Sequence, residues 1–158
     1  MPITPFHFGP GAVIHAVAPK QVSFLAFCSA NVLIDVEPLY YMVTQQYPLH
    51  RFFHTYIGAA IITIATVCIF FAALKLASRV RLPNLFQWQD LKSRSIWLGA
   101  AAGSYSHIVL DSVMHRDIVP LSPFSEANVL YQLVPLSTLH LFCVLSAIVA
   151  LAVLALRK

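Results

Sequence analysis

The sequence predicts an all-α fold: an integral membrane helical bundle of about four membrane helices, with a short N-terminal re-entrant or interfacial helix, in one domain spanning residues 1–158. Three observations carry this. The chain is 59% hydrophobic and only 10% charged, which is not the composition of an ordinary soluble domain. Residues 55–74 and 127–156 are runs of twenty and thirty residues without a charge, and about 20 apolar residues span the hydrocarbon core of a bilayer. Five of the ten basic residues (Lys75, Arg79, Arg81, Lys92, Arg94) cluster in one segment that holds a single acid, Asp90. That is the bias expected of a cytoplasmic loop between spans.

The elements follow in order. Residues 1–20 hold four prolines and no charge before Lys20. A helix over 11–18 rises only about 12 Å, too short to cross. Residues 21–43 are apolar but interrupted by Asp35, Glu37 and Pro38, and Pro38 is expected to end or kink a helix. "TQQYPLHRFF", 44–53, has the polar and aromatic character of a membrane–water boundary. A span over 54–77 is the clearest, followed by the basic loop 78–94 with Pro83 and Asn84 as breakers. The span over 95–114 contains "GAAAGSYS", whose small residues let helices approach closely. A loop over 116–135 with three prolines leads to the last span, 136–156.

Placing 75–94 and Arg157–Lys158 in the cytoplasm makes 54–77 descend and 95–115 ascend, with both termini near the cytoplasmic side of a multi-pass inner-membrane protein. No basic region precedes the apolar N-terminal part, so no removable signal peptide is expected. The formal charge of +4 is explained by the loop and does not point to a nucleic-acid partner. Cys28, Cys68 and Cys143 lie in apolar stretches without metal-type spacing and read as buried free thiols.

The topology brings Asp35, Glu37, His50, His54, Asp111 and His115 toward one face of the membrane, with His107 somewhat deeper. Positions four apart share a helix face, so His107, Asp111 and His115 form a stripe of nitrogen and oxygen ligands. His50 and His54 form a second stripe if the helix begins early enough to include both. Imidazole plus carboxylate is the ligand set of zinc and related metals. Four of the six acids (Asp35, Glu37, Asp111, Asp117) lie beside this cluster. An acid inside a span costs ~2.5–3.5 kcal/mol on insertion scales, and a divalent cation would offset it. Other readings stand beside this one. His107 and Asp111 could be a neutral hydrogen-bonded pair joining helices. His50 and Arg51 could be boundary residues, with Arg51 snorkelling, and Asp117 a solvated helix-end residue. His15 and His140, each alone, read as core.

On that reading His54, His107 and Asp111 are the leading metal ligands, then Asp35 and His50. Glu37 is general base or orienter of an imidazole, Arg51 a holder of phosphate or carboxylate, and Asp35 a third catalytic candidate. The cofactor is a divalent metal, zinc by ligand type, as one or two ions. The partners are the lipid bilayer and a lipid head group, which a site at the outer face would suit. Oligomeric state and the roles of His115, Asp117 and His140 stay open. The alternatives are a non-hydrolytic metal- or haem-binding membrane protein for transport or electron transfer, or a structural or regulatory membrane protein.

An ordered series of motifs runs across residues 7–124: His7 in "TPFHFG", Asp35 and Glu37 in "LIDVEP", His50, Arg51 and His54 in "HRFFHT", Gly103 to Asp111 in "GSYSHIVLD", and Pro120 and Pro123 in "DIVPLSPF". In this order the sequence resembles the bacterial membrane-bound metal-dependent hydrolases of the YdjM-like type. Those proteins carry one more residue between the paired histidines, with a glycine that is absent here. The resemblance implies a zinc-type hydrolase of the inner membrane, distantly similar to zinc-dependent phospholipase C, and phosphoester cleavage. It also implies that His7 joins the site, which needs an N-terminal segment that starts at the outer face and dips in without crossing.

Overall fold

The computed structural model describes residues 4–157, so Lys158 of the charge argument lies outside them. The chain is helical, with no strand among the described residues. A 3-10 turn over Thr4–His7 leads into α1 (Phe8–Val17), followed by α2 (Phe24–Ile34), α3 (Val36–Val43), a 3-10 turn over Phe52–His54, α4 (Tyr56–Ala77), a turn over Leu85–Asp90, α5 (Ser93–Met114) and α6 (Leu136–Leu156).

Local chemistry sets the helix ends. Ser23 Oγ accepts the Ala26 N–H at 3.2 Å and caps α2, and Thr55 Oγ1 accepts the Gly58 N–H at 2.9 Å and caps α4. The Thr55 cap starts α4 after His54, so His50 and His54 do not form a helical stripe; His54 closes a 3-10 turn and His50 lies in the connection before it. Pro38 does not break the helix where expected. The interruption falls at Asp35, and Pro38 sits in the first turn of α3, where a missing N–H costs no intrahelical bond.

At 1.5 Å per residue, α4 and α5, each 22 residues, reach about 33 Å, and α6, 21 residues, about 31 Å. Helix α2, 11 residues, reaches only about 16 Å. Two helices, α4 and α6, are both long and apolar enough to cross a membrane. Helix α5 has the length, but serines, glycines, His107 and Asp111 lower its apolar character. The interrupted apolar segment 21–43 therefore supplies a half-length helix, α2, in place of one of the four expected membrane helices.

Helices α1 and α2 form a hairpin packed against the longer helices. The turn joining them meets the base of α5, where Ser23 N–H donates to Ser95 O at 3.0 Å. From that level α2 rises to end beside His107, and α1 begins beside Asp111. Helix α5 packs on α2 and α4, while α6 packs chiefly on α1. At the other end of the bundle from His7, the Arg157 guanidinium bonds the Ala16 carbonyl.

Glycine sets two of these approaches. A Cβ at Gly103 would overlap the Phe27 carbonyl of α2, and one at Gly9 would overlap the Cys143 carbonyl of α6. The buried core of Ala26, Ala30, Ile34, Ala59, Ile62 and Ile108 fills the space between α2, α4 and α5. Within it Thr63 and Ser104 share a hydrogen bond of 2.7 Å. Gly103→Leu should overpack the α2–α5 contact by about 1–3 kcal/mol or more. The expected result is a lower melting temperature in detergent and loss of any metal binding by the candidate site described below.

Candidate metal centre

Four elements deliver side chains to one depth. Asp35 stands at the joint of α2 and α3, and His54 ends the turn before α4. His107 and Asp111 lie one helical turn apart on α5, and His7 ends the turn before α1. His7, His54, His107 and Asp111 are 2%, 0%, 0% and 4% exposed, so the cluster is a polar island inside an apolar bundle. One ligand atom from each of Asp35, His54, His107 and Asp111 lies within 4.8 Å of the others.

The separations match ligands around one cation. His107 Nε2 is 3.1 Å from Asp111 Oδ2 and 3.3 Å from Asp35 Oδ1. His54 Nε2 is 3.6 Å from Asp111 Oδ2 and 3.8 Å from Asp35 Oδ1. Metal–ligand distances near 2.1 Å give a tetrahedral edge of about 3.4 Å. Both ring nitrogens of His54, His107 Nε2 and Asp111 Oδ1 are buried without a hydrogen-bond partner. Unsatisfied buried polar atoms are costly, and coordination would satisfy several together. These residues could hold a metal ion. Asp35, whose side chain is 29% exposed, marks the open side.

A second layer orients the imidazoles. His107 Nδ1 pairs with Asn31 Oδ1 at 3.1 Å, and Asn31 Nδ2 donates to Phe27 O at 2.9 Å. A fully buried amide thus holds one nitrogen of His107 and leaves Nε2 to the cluster. Glu37 Oε2 faces His54 Nδ1 at 3.5 Å and accepts the Arg51 and Phe53 N–H groups at 3.1 and 2.9 Å. Asp117 places both carboxylate oxygens 3.0 Å from His50 Nδ1 and accepts the Leu49 and His50 N–H groups. Such outer partners fix ring orientation in metal sites.

Every expected ligand falls in or beside the cluster. His7 Nε2 is 3.2 Å from Asp111 Oδ1, and the His50 ring lies 4.6 Å from that of His54. Arg51 is held on the periphery: its Nε donates to Pro48 O at 3.0 Å and its guanidinium stacks 3.7 Å over Tyr41. His15 bonds the Val22 carbonyl at 2.8 Å and His140 stacks on Phe6, both outside the cluster. Asn31 escaped the sequence reading, although a lone amide one turn before Asp35 on an apolar helix is a visible mark. Asp117 turned out to be a partner of His50 rather than a solvated end.

The outer groups show why the arrangement holds together. Burial pushes the Asp117 and Glu37 carboxyls up, but the hydrogen bond from His50 to Asp117, and for Glu37 the nearby His54 imidazole together with the backbone N–H groups it accepts, more than offset it and hold both below their usual range. Burial pushes His50 down, with the neighbouring His54 adding to the effect. Imidazole kept neutral is the form that ligates.

Compared with protein-family models, with curated proteins and with solved structures, the chain matches none.

Three outcomes are expected. Elemental analysis of detergent-purified protein should find divalent metal in wild type, loss in His107→Ala and Asp111→Ala, and no change in His140→Phe. Asn31→Leu should weaken metal affinity about 10–100-fold. For metal-free protein, thermal stability should fall as pH drops below about 6.5, the ordinary value for histidine, because the unfolded chain takes up a proton on His50 that the folded chain resists. The contribution of Asp117 is fully present above 3.8 and is lost as pH falls through its lower folded value, so Asp117→Asn should flatten the most acidic part of the curve.

Proposed function

We propose that this chain is a membrane-embedded, zinc-type metal-dependent hydrolase that cleaves a phosphoester or other ester of a lipid-like molecule at the outer face of the inner membrane. One observation carries the reading: three buried ligands (His54, His107, Asp111) and one partly exposed ligand (Asp35) converge at coordination spacing on an otherwise apolar bundle. Catalytic zinc sites keep a position for water or substrate and can expand to five-coordinate; with four protein residues at the cluster, a fifth position on the partly exposed Asp35 side would serve. The resemblance to the YdjM-like hydrolases points the same way.

The membrane setting rests on surface as well as length. The most apolar windows of α4 and α6 are only 39% and 22% buried, whereas a soluble core helix is mostly buried. On α6, Leu141, Phe142, Leu145, Ile148, Val149 and Leu151 are all half exposed or more, a surface suited to lipid. In this reading α4, α5 and α6 cross the bilayer. The α1–α2 hairpin enters from the outer face and returns, in place of a fourth crossing. The basic segment 75–94 and Arg157 face the cytoplasm. The described N-terminal residues then lie at the outer face, which departs from the expectation that both termini sit inside.

When bound, a divalent cation supplies Lewis acidity to an ester oxygen and lowers the pKa of water toward ~7. The protein's own groups do the rest. Asn31 and Glu37 orient His107 and His54. Asp35 borders the open side, and Glu37, its Oε2 already committed to two N–H groups, serves as orienter rather than general base. Arg51, held at the periphery by Pro48 O and Tyr41, would meet an anionic head group at the rim rather than at the metal ligands. Haem suits the site less well, because Asp35 and Asp111 lie between the His54 and His107 nitrogens where a porphyrin would need room.

The test is turnover by zinc-loaded, detergent-purified protein on bis(p-nitrophenyl) phosphate and on phospholipid mixed micelles. Asp35→Asn and His54→Ala should lower kcat/KM by about 100-fold or more, and a chelator should abolish activity. Metal-loaded, folded protein that turns over neither phosphoester nor carboxyl-ester probes would remove the hydrolase assignment. Orientation has its own check: in a background lacking the native cysteines, Gln87→Cys should react with impermeant maleimide only in inverted vesicles, and Ser125→Cys only in right-side-out ones.

A further inference from the structure

We propose that the chain holds a second divalent cation, bound by His50 and His115 and joined to the first through a bridging Asp111. The inference rests on the metal-centre reading above and assigns a role to His115, which that reading leaves unused. One nitrogen each from His50 and His115 and one oxygen of Asp111 lie within 4.8 Å of one another. The Asp111 carboxylate therefore belongs to two ligand groups, one with Asp35, His54 and His107 and one with these two histidines. An ionised carboxylate offers two oxygens and about four lone-pair sites, so it can serve both. Shared ligands of this kind hold cations about 3.5–4 Å apart in two-metal hydrolytic sites.

The backbone delivers the two imidazoles deliberately. Helix α5 ends at Met114, and His115 leaves it in an extended conformation, φ −115° and ψ 126°. Its carbonyl accepts from Asn128 Nδ2 at 3.2 Å. The turn swings the His115 ring to 4.5 Å from that of His50, tilted by 32°. His50 is 5% exposed, and Asp117 holds its Nδ1 from both oxygens at 3.0 Å, which leaves Nε2 for a cation. Asp117 is thus a positioning residue for His50, as Asn31 is for His107.

Charge supplies an independent argument. Asp35, Glu37, Asp111 and Asp117 surround the five imidazoles of His7, His50, His54, His107 and His115. The Arg51 side chain is turned to Pro48 and Tyr41. Four carboxylates carry the charge that two divalent cations neutralise. Two cations side by side suit a phosphoester, since each can stabilise one of the two oxygens exchanged at phosphorus.

The experiment is a zinc titration of metal-stripped, detergent-purified full chain, read as bound zinc per chain, with the manganese form examined by EPR. Wild type should saturate at two equivalents and show an exchange-coupled manganese pair. His115→Ala and, as a second variant, His50→Gln should saturate at one equivalent and lose the coupling while retaining the first ion. Wild type saturating at one equivalent with an uncoupled signal overturns the second site and leaves the first intact. Two equivalents retained by both variants also overturn it. Wild type binding none removes the metal-centre reading itself.

Discussion

The carboxylate of Asp111 is buried among helices, 4% exposed, and among the described residues its ion-pair partners are all histidines: His7, His54 and His107. A carboxylate in so apolar a setting is costly unless paired and hydrogen-bonded, and neutral imidazole is a weak answer to its charge. The surrounding structure reads as the response to this constraint. Three imidazoles turn nitrogens toward one carboxylate, Asp35 joins them from another helix, and several of the facing atoms lack hydrogen bonds. A cation at the centre would convert these mutual frustrations into ligation.

Holding such a group requires a stiff frame at one depth, and the half-length helices supply it. An 11-residue α2 starts beside Ser95 and ends level with His107, which leaves Asp35 at the cluster. The α1–α2 hairpin also returns the chain so that His7 reaches Asp111. Close packing makes the frame rigid: Gly103 meets the Phe27 carbonyl, and that same carbonyl accepts from Asn31, the residue that holds His107. Packing of α2 on α5 and orientation of a ligand are therefore one contact, not two.

The outer ends of the helices are laced together by loops. Asp117, just after α5, accepts N–H groups from Leu49 and His50 before α4, and the Pro120 carbonyl accepts the Tyr56 N–H at 2.9 Å. Asn128 bonds the Ser112 and His115 carbonyls at the end of α5. These bonds satisfy helix ends that would otherwise be bare, and they place the open side of the cluster at the polar rim rather than in the apolar half of the bundle.

Sequence alone determined the helical class, the apolar spans over α4 and α6, and the pairing of His107 with Asp111, because composition and a period of 3.6 residues are local properties. It also singled out Asp35, Glu37, His50 and His54, since charged and titratable residues are scarce enough here to stand out. Tertiary structure decided what touches what. That Asn31 holds His107 across 76 positions, that Asp117 holds His50 across 67, and that His115 leaves its helix to meet His50 are choices of loop path and packing. It also decided that α2 stops at half depth and that Pro38 opens a helix instead of closing one. Local periodicity says which face a residue shares with its neighbours in sequence; which faces then meet depends on the close approaches and loop hydrogen bonds that only the folded chain contains.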